Sequence, residues 1–379
     1  MKRYIVFLLL GASCALLFRC WRREGGEESN LCRTLKQESL GPFDREKKLY
    51  IAIGIDYIPH ELIETFEKIT GIQVIIDIFD SNEILEAKLL AGGVKYDIVF
   101  PTAWPNFSRQ LKAGIYQKLD KNRINMAIFA KDVLKRLEKH DAGNNYAVPF
   151  QFGIAGLGVN EKIVTPIIGK SEKGSLSIVF DPSNAEKLSK YRISLYESPN
   201  ELFPIVMAYL GLDPESENPE DIVKAAEHLR KIRPYISKFT SFGFEDLATE
   251  NACAALGTSG DILKVQRENP SIKFYYPEEG ASLWVDVVAI LAKAKHPNNI
   301  YAFLKFLFHP MVIAEVTNVT SRANAVVKAE KYLLEEVKKN SYIYPSEAVF
   351  RKCYIEKPLP SHVEALKTRL LTQIKSMEN

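Results

Sequence analysis

The chain has 379 residues, 46% of them hydrophobic, 26% charged and 11% aromatic, which excludes wholesale disorder, a collagen-like repeat and a polytopic membrane protein. That length suits about two domains, each large enough to bury a core without metals or disulfide staples. With 50 Lys and Arg against 47 Asp and Glu, the charge is too balanced for a partner whose recognition rests on the nucleic-acid backbone.

The positive balance sits at the start of the chain. Lys2, Arg3, Arg19, Arg22 and Arg23 fall within the first 23 residues without an acid among them, and removing these five from the 50 leaves 45 bases against 47 acids. The apolar run Tyr4 to Phe18 between those basic flanks reads as an export signal, too short for a spanning helix of about 20 residues. Cys14 after Gly-Ala-Ser, or Cys20 after Leu-Phe-Arg, is a candidate lipid-modified N-terminus, and an uncleaved anchor is the alternative. A periplasmic, membrane-tethered protein is expected, with residues 24–47 as a polar tether. Of the five cysteines (14, 20, 32, 253, 353), none forms a C-x-x-C pair. Cys253 and Cys353 read either as a disulfide or as separate thiols.

From Leu49 onward, apolar runs bounded by turns alternate with helical patterns: LYIAIGI, PHELIETFEKIT, QVIIDIF, SNEILEAKLLAG, YDIVFPT. Strand, helix, strand, helix, strand marks an α/β domain with a parallel sheet. Ser81 is placed as an N-cap, and Thr70-Gly71 and Gly92-Gly93 as helix stops. After the apolar segment 146–160, RISLYES, helices over 200–210 and 219–231, IKFYYP and WVDVVAIL repeat the pattern in a second lobe. Residues 297–317 read as a helix interrupted at His309-Pro310, and 329–338 and 360–377 as amphipathic helices packed on the body.

Catalytic and cofactor signatures are missing. There is no G-x-x-x-x-G-K-[ST], no H-E-x-x-H and no G-x-G-x-x-G; G-T-S-G-D at 257–261 is not a nucleophile elbow. The acids at 213–217 lack the twelfth-position Glu of a calcium loop, where Lys224 stands. The histidines (60, 140, 228, 296, 309, 362) are scattered. The expectation is a non-enzyme with no cofactor and no metal.

What the sequence does place is acids and aromatics at the ends of strands: Asp56 and Tyr57, Thr102 and Trp104, Glu197 and Glu201, Asp261, and Trp284 with Asp286. Ligands of open α/β sheets bind outside the carboxyl ends of strands, and Trp-x-Asp puts both side chains on one strand face. Carboxylates beside aromatic faces suit an organic ammonium, whose N–H groups need anions and whose stem needs apolar contact.

These residues and the words around them (D-Y-I-P, F-E-K-I-T-G-I-Q-V, D-S-N-E-I-L-E-A-K-L-L-A-G, Y-D-I-V-F-P-T, R-Q-L-K-A-G-I-Y-Q-K-L-D-K, P-N-E-L-F, L-G-T-S-G-D, P-E-E-G, W-V-D) resemble the periplasmic spermidine/putrescine-binding proteins of ABC transporters, nearest their putrescine-binding branch. The resemblance implies a two-lobed α/β periplasmic-binding-protein fold, a monomer that closes on a polyamine and delivers it to an ABC permease. It implies hinges near 150–155, 283–285 and after Thr320. Lobe 1 is drawn as 48–150 plus 285–325, and lobe 2 as 151–284 plus 326–379. Ligand contacts carry over to Asp56, Tyr57, Thr102, Trp104, Glu201, Thr258, Asp261, Trp284 and Asp286. Asp261 and Asp286 are expected on one ammonium and Asp56 and Glu201 on the other.

The chain departs from the family where Gly54-Ile55 replaces Trp-Ser or Trp-Thr and Thr258 replaces Trp. Thr320, Ser321 and Arg322 do not match the third hinge position, and Tyr191 replaces the cysteine that would pair with Cys253. Retained acids with lost aromatic walls predict a wider pocket with a weaker methylene grip. Putrescine, a longer polyamine or a guanidino compound such as agmatine all fit that reading. The alternative function is a binding module for another organic cation, serving as a sensor or surface protein without transport.

Overall fold

The computed structural model describes residues 33–35, 39–169, 174–355 and 359–377. The export segment 1–23, Cys14, Cys20, Cys32 and the first part of the tether lie outside the described residues.

The first half builds as its pattern dictates. Strand β1 (Lys48–Gly54) buries Leu49 and every residue from Ile51 to Gly54. Helix α1 (His60–Thr70) buries Leu62, Ile63 and Phe66 and stops at Gly71, whose φ of 71° is left-handed and whose N–H reaches Glu67 O at 2.7 Å. Strand β2 (Gln73–Phe79) follows, then helix α2 (Asn82–Ala91), capped by the Ser81 hydroxyl on Ile84 N at 3.3 Å. Strand β3 is only Ile98–Val99. Both β2 and β3 lie parallel to β1. Phe66 meets Phe303 edge-on at 5.1 Å, and burial of each such side chain contributes about 1.5–3 kcal/mol.

Two long strands run through the whole molecule. Strand β4 (Ala147–Asn160) is buried at every position. Further on come β5 (Ile193–Leu195), β6 (Lys238–Phe239), β7 (Ala254–Thr258) and β8 (Ile272–Tyr275), then the second long strand β9 (Ala281–Ile290). The sheet order is β2-β1-β3-β9-β4-β7-β5-β6. The first part of β4 pairs antiparallel with β9, and its last part pairs with β7 and β8. β4 therefore carries the chain from one half-sheet into the other.

Three further helices bear on the site: α3 (Pro199–Tyr209), α4 (Ser259–Glu268) and α5 (Pro310–Thr320). α5 is bent by 67° from the preceding helix Pro297–Leu307 at His309-Pro310, where the sequence marks an interruption. After α5, β10 (Ala323–Asn324) pairs with β4, and β11 (Cys353–Tyr354) with β9. Among the described residues no single helix is long and apolar enough to cross a membrane.

One buried cluster gathers Leu49, Phe66, Phe100, Phe303 and Val312; a second gathers Leu157, Phe203, Ile222, Cys253 and Ile374. The lobe boundary drawn at 325/326 does not follow these clusters. Val326, Ala329, Leu333, Val337 and Ile343 all pack in the first, while Val363, Leu370 and Leu371 pack in the second. Residues 329–338 are also not one helix but a 3-10 turn (Val327–Tyr332) and a short helix (Glu335–Lys338). Asn318 is the cause: its amide accepts from Leu334 N at 3.0 Å and donates to Tyr332 O at 3.4 Å, holding the chain extended between them.

Cys253 and Cys353 are separate thiols, not a disulfide. Burial pushes Cys253 up to about 12 and Cys353 up to about 11.

Candidate ligand-binding site

Asp286, 2% exposed, is a buried acid in the middle of strand β9. It lies on β9 opposite Gln151 of β4 and bridges to Thr102 just beyond β3, so three strands and β10 converge on it. Thr102 Oγ1 donates to its carboxylate at 2.7 Å, and Asn82 fixes Thr102 by accepting from its N–H at 3.0 Å. The Tyr57 hydroxyl, on the same carboxylate's side of the cleft, favours its charged form as Thr102 does. Burial drives the Asp286 carboxyl above the ordinary range, against the pull of these hydroxyls and the charge of Arg322. An anion held by neutral donors in a dry setting calls for a cation.

A second acid, Asp261 in the first turn of α4, already has one. Arg322 Nη2 lies 2.7 Å from Asp261 Oδ1, with side-chain exposures of 9% and 18%. Burial would raise the Asp261 carboxyl, but Arg322 and the Thr258 hydroxyl hold it below its usual value. Thr258 caps α4 through Asp261 N at 3.4 Å and donates to Asp261 Oδ2 at 2.7 Å. The Arg322 guanidinium carbon sits 4.9 Å from the centre of the Tyr57 ring, a cation–π contact. Its position depends on Gly260, where a Cβ would fall 2.5 Å from Arg322 Cγ. Tyr57 in turn needs Gly54, where a Cβ would meet its ring at 2.5 Å. Ser321, which turns the chain from α5 to Arg322, has φ 57°, a conformation that L residues adopt at a cost.

The expected contact residues thus divide. Tyr57, Thr102, Asp261 and Asp286 come together, and Thr258 serves them by holding Asp261. Trp284 shares the β9 face with Asp286, packed where a Cβ on Gly153 would be 2.5 Å from its ring. Asp56 does not join: its side chain is half exposed and meets Lys264 of α4 at 3.0 Å. Trp104 stacks on His140 at 5.4 Å and, with Asn200, Pro204 and Lys367, lines a different pocket. Glu201 is partly buried in the first turn of α3. Arg322 is the charge acting most strongly on both carboxyls, followed by Lys264 on Asp261 and by Asp261 on Asp286.

Instead of the wider pocket expected from the missing aromatics, a guanidinium stands against Asp261. Arg322 escaped the sequence reading as a site residue because its partner is 61 positions away. Gln151 escaped it too. It is fully buried, with its amide nitrogen on Tyr57 O at 3.3 Å and Thr320 Oγ1 at 3.4 Å.

Comparison with known proteins agrees with this architecture. The chain is 39% identical over 339 residues to the putrescine-binding periplasmic protein SpuD of Pseudomonas aeruginosa, spanning 87% of this chain and 92% of that protein. It is 36% identical to the putrescine-binding periplasmic protein PotF of Escherichia coli, over 89% of this chain and 94% of that one. Among solved structures, a putative spermidine/putrescine ABC transporter protein from Listeria monocytogenes superposes with a TM-score of 0.78 at 25% identity, over 87% of this chain and 99% of that chain. Residues 61–342 match the family model described as bacterial extracellular solute-binding protein. The chain belongs to the family of bacterial extracellular solute-binding proteins.

Proposed function

We propose that this protein captures a polyamine-type alkylammonium between its lobes, outside the cytoplasm, and delivers it to an ABC permease in the cytoplasmic membrane. The observation that carries the reading is Asp286. It is a buried carboxylate whose one side-chain hydrogen bond among the described residues comes from the Thr102 hydroxyl, and it shares a strand face with Trp284. An ammonium there gains a charge partner in a low-dielectric setting and an aromatic wall. The putrescine-binding names of the relatives support the same ligand class. Tyr57, Thr102, Asp261, Trp284 and Asp286 form the contact set, with Thr258 behind Asp261.

The two halves act as lobes hinged on β4, β9 and the turn after Thr320. In that arrangement the ligand touches both only in the closed form, so binding shifts the population toward closure. The closed form is the species presented to the permease. Export and a membrane tether through the N-terminal segment complete the reading.

The test is a thermal-shift series with mono- and polycationic alkylammonium ligands, putrescine and spermidine among them, on the purified protein and on Asp286→Asn. A ligand at 100 times its Kd stabilises by about 2.7 kcal/mol, a rise of several degrees. The rise is expected in the native protein and absent in the variant. No rise with any alkylammonium ligand, mono- or polycationic, or an equal rise in the variant, overturns the assignment.

A further inference from the structure

Within that reading, the cluster around Asp286 says more about the ligand than its ammonium. Two carboxylates are shielded there, Asp286 fully buried and Asp261 at 18% side-chain exposure, together with one buried guanidinium, Arg322. The Asp56–Lys264 pair at the edge is neutral. The buried cluster therefore lacks one positive charge, not two.

Its unmatched hydrogen-bonding groups are of both kinds. Arg322 Nη1 and the Trp284 indole N–H are buried donors with no partner among the described residues. Gln151 Oε1, opposite Asp286 in the strand register, is a buried acceptor with none. Arg322 is more than nine-tenths buried, and an orphaned guanidinium N–H in such a place is costly. A diamine closed into the cluster would satisfy Asp286 and Gln151 at one end. Its other ammonium would face Arg322, which already holds Asp261, and like charges in a closed cleft repel strongly.

We propose that Arg322 is the specificity-determining residue and that the cleft selects a monocation. The ligand carries an alkylammonium at one end, for Asp286 and Gln151, and a neutral hydrogen-bond acceptor at the other, for Arg322 Nη1 and Trp284 Nε1. The chemical class is a mono-acylated diamine. Arg322 supplies in cis the charge that a second ligand ammonium would bring to Asp261, and its spare N–H group takes the acyl oxygen. Gly260 belongs to the same device, since any side chain there would meet Arg322 Cγ.

The experiment is calorimetric titration of the full chain with 1,4-diaminobutane, N-acetyl-1,4-diaminobutane and 4-aminobutanoate, repeated on Arg322→Gln and Asp286→Asn. The native protein is expected to bind the acetylated amine at least tenfold more tightly than the diamine. Arg322→Gln is expected to reverse that order, and Asp286→Asn to lose both. The native ratio decides even if Arg322→Gln does not fold. Equal or tighter binding of the diamine to the native protein overturns the inference, while its dependence on Asp286 leaves the parent reading standing. An unchanged ratio in a folded Arg322→Gln also overturns it. Tightest binding of 4-aminobutanoate refutes the neutral acceptor in favour of a carboxylate. No binding of any amine overturns the parent reading and this inference together.

Discussion

Replacing Asp261 by Asn probes the ion pair on which the site is built. The change keeps volume and the bond from the Thr258 hydroxyl but removes the only carboxylate among the described residues in hydrogen-bond contact with Arg322, whose Nη2 sits 2.7 Å away. Both side chains are largely shielded, at 9% and 18% exposure, so solvent screening does little to soften the loss. Stranding a buried charge in this way costs about 3–5 kcal/mol, a shift on the order of 1 M in the urea midpoint. The double variant Asp261→Asn with Arg322→Met removes both charges and leaves an apolar stem against the Tyr57 ring. It is expected to recover at least half of the loss, giving a coupling energy of about 2 kcal/mol in a double-mutant cycle. Equilibrium urea denaturation of the native protein and the three variants measures it. A loss under about 1 kcal/mol for Asp261→Asn, or additivity within about 0.5 kcal/mol, refutes the reasoning.

Other outcomes follow from the same geometry. Because burial raises the Asp286 carboxyl, an ammonium beside it must lower that value, so binding releases protons and affinity weakens as pH falls through the raised range. Titrations from pH 4 to 8 check this, and a flat profile contradicts it. His296, which burial alone would depress, is held above its usual value of 6.5 by Asp97 at 2.8 Å and by Glu46. Its contribution to stability is present in full below about 6.5 and is lost as pH rises through the raised value. The urea midpoint of the native protein should therefore fall over that window relative to His296→Asn, and parallel profiles would count against the pairing. Cys253 and Cys353, with thiols pushed up to about 12 and about 11, should resist alkylation at pH 8 in the folded protein and react in urea. Mass spectrometric mapping reads both sites, and rapid native labelling of Cys253 would contradict its burial.

Much of this molecule is legible in its sequence for local reasons. Ser81, Gly71 and Gly92 mark helix ends through backbone chemistry that needs no tertiary partner. Trp284 and Asp286 share a face because a strand alternates, and Asp286 could be singled out before its surroundings were known. Contacts that depend on distant segments were not legible. Asp56 follows β1 as expected, but Lys264, 208 positions away, draws it to the edge. Trp104 packs on His140 instead of the acids. The break at Leu333-Leu334 is imposed by Asn318 against a sequence with good helix propensity. Arg322 is the instructive case. Alone it reads as a charged residue after a helix, and only Gly260 and Asp261 together create its buried place. The unmatched third hinge position and the loss of an aromatic at Thr258 were the two traces it left.

The most direct measurement is a crystal structure of the protein with the tightest-binding amine of the panel. The ammonium nitrogen is expected within about 3 Å of the Asp286 carboxylate, with the alkyl stem along Trp284 and both halves of the molecule in contact with the ligand. Density for the amine elsewhere, with Asp286 still bonded to Thr102 and out of contact with the ligand, would contradict the account at its centre.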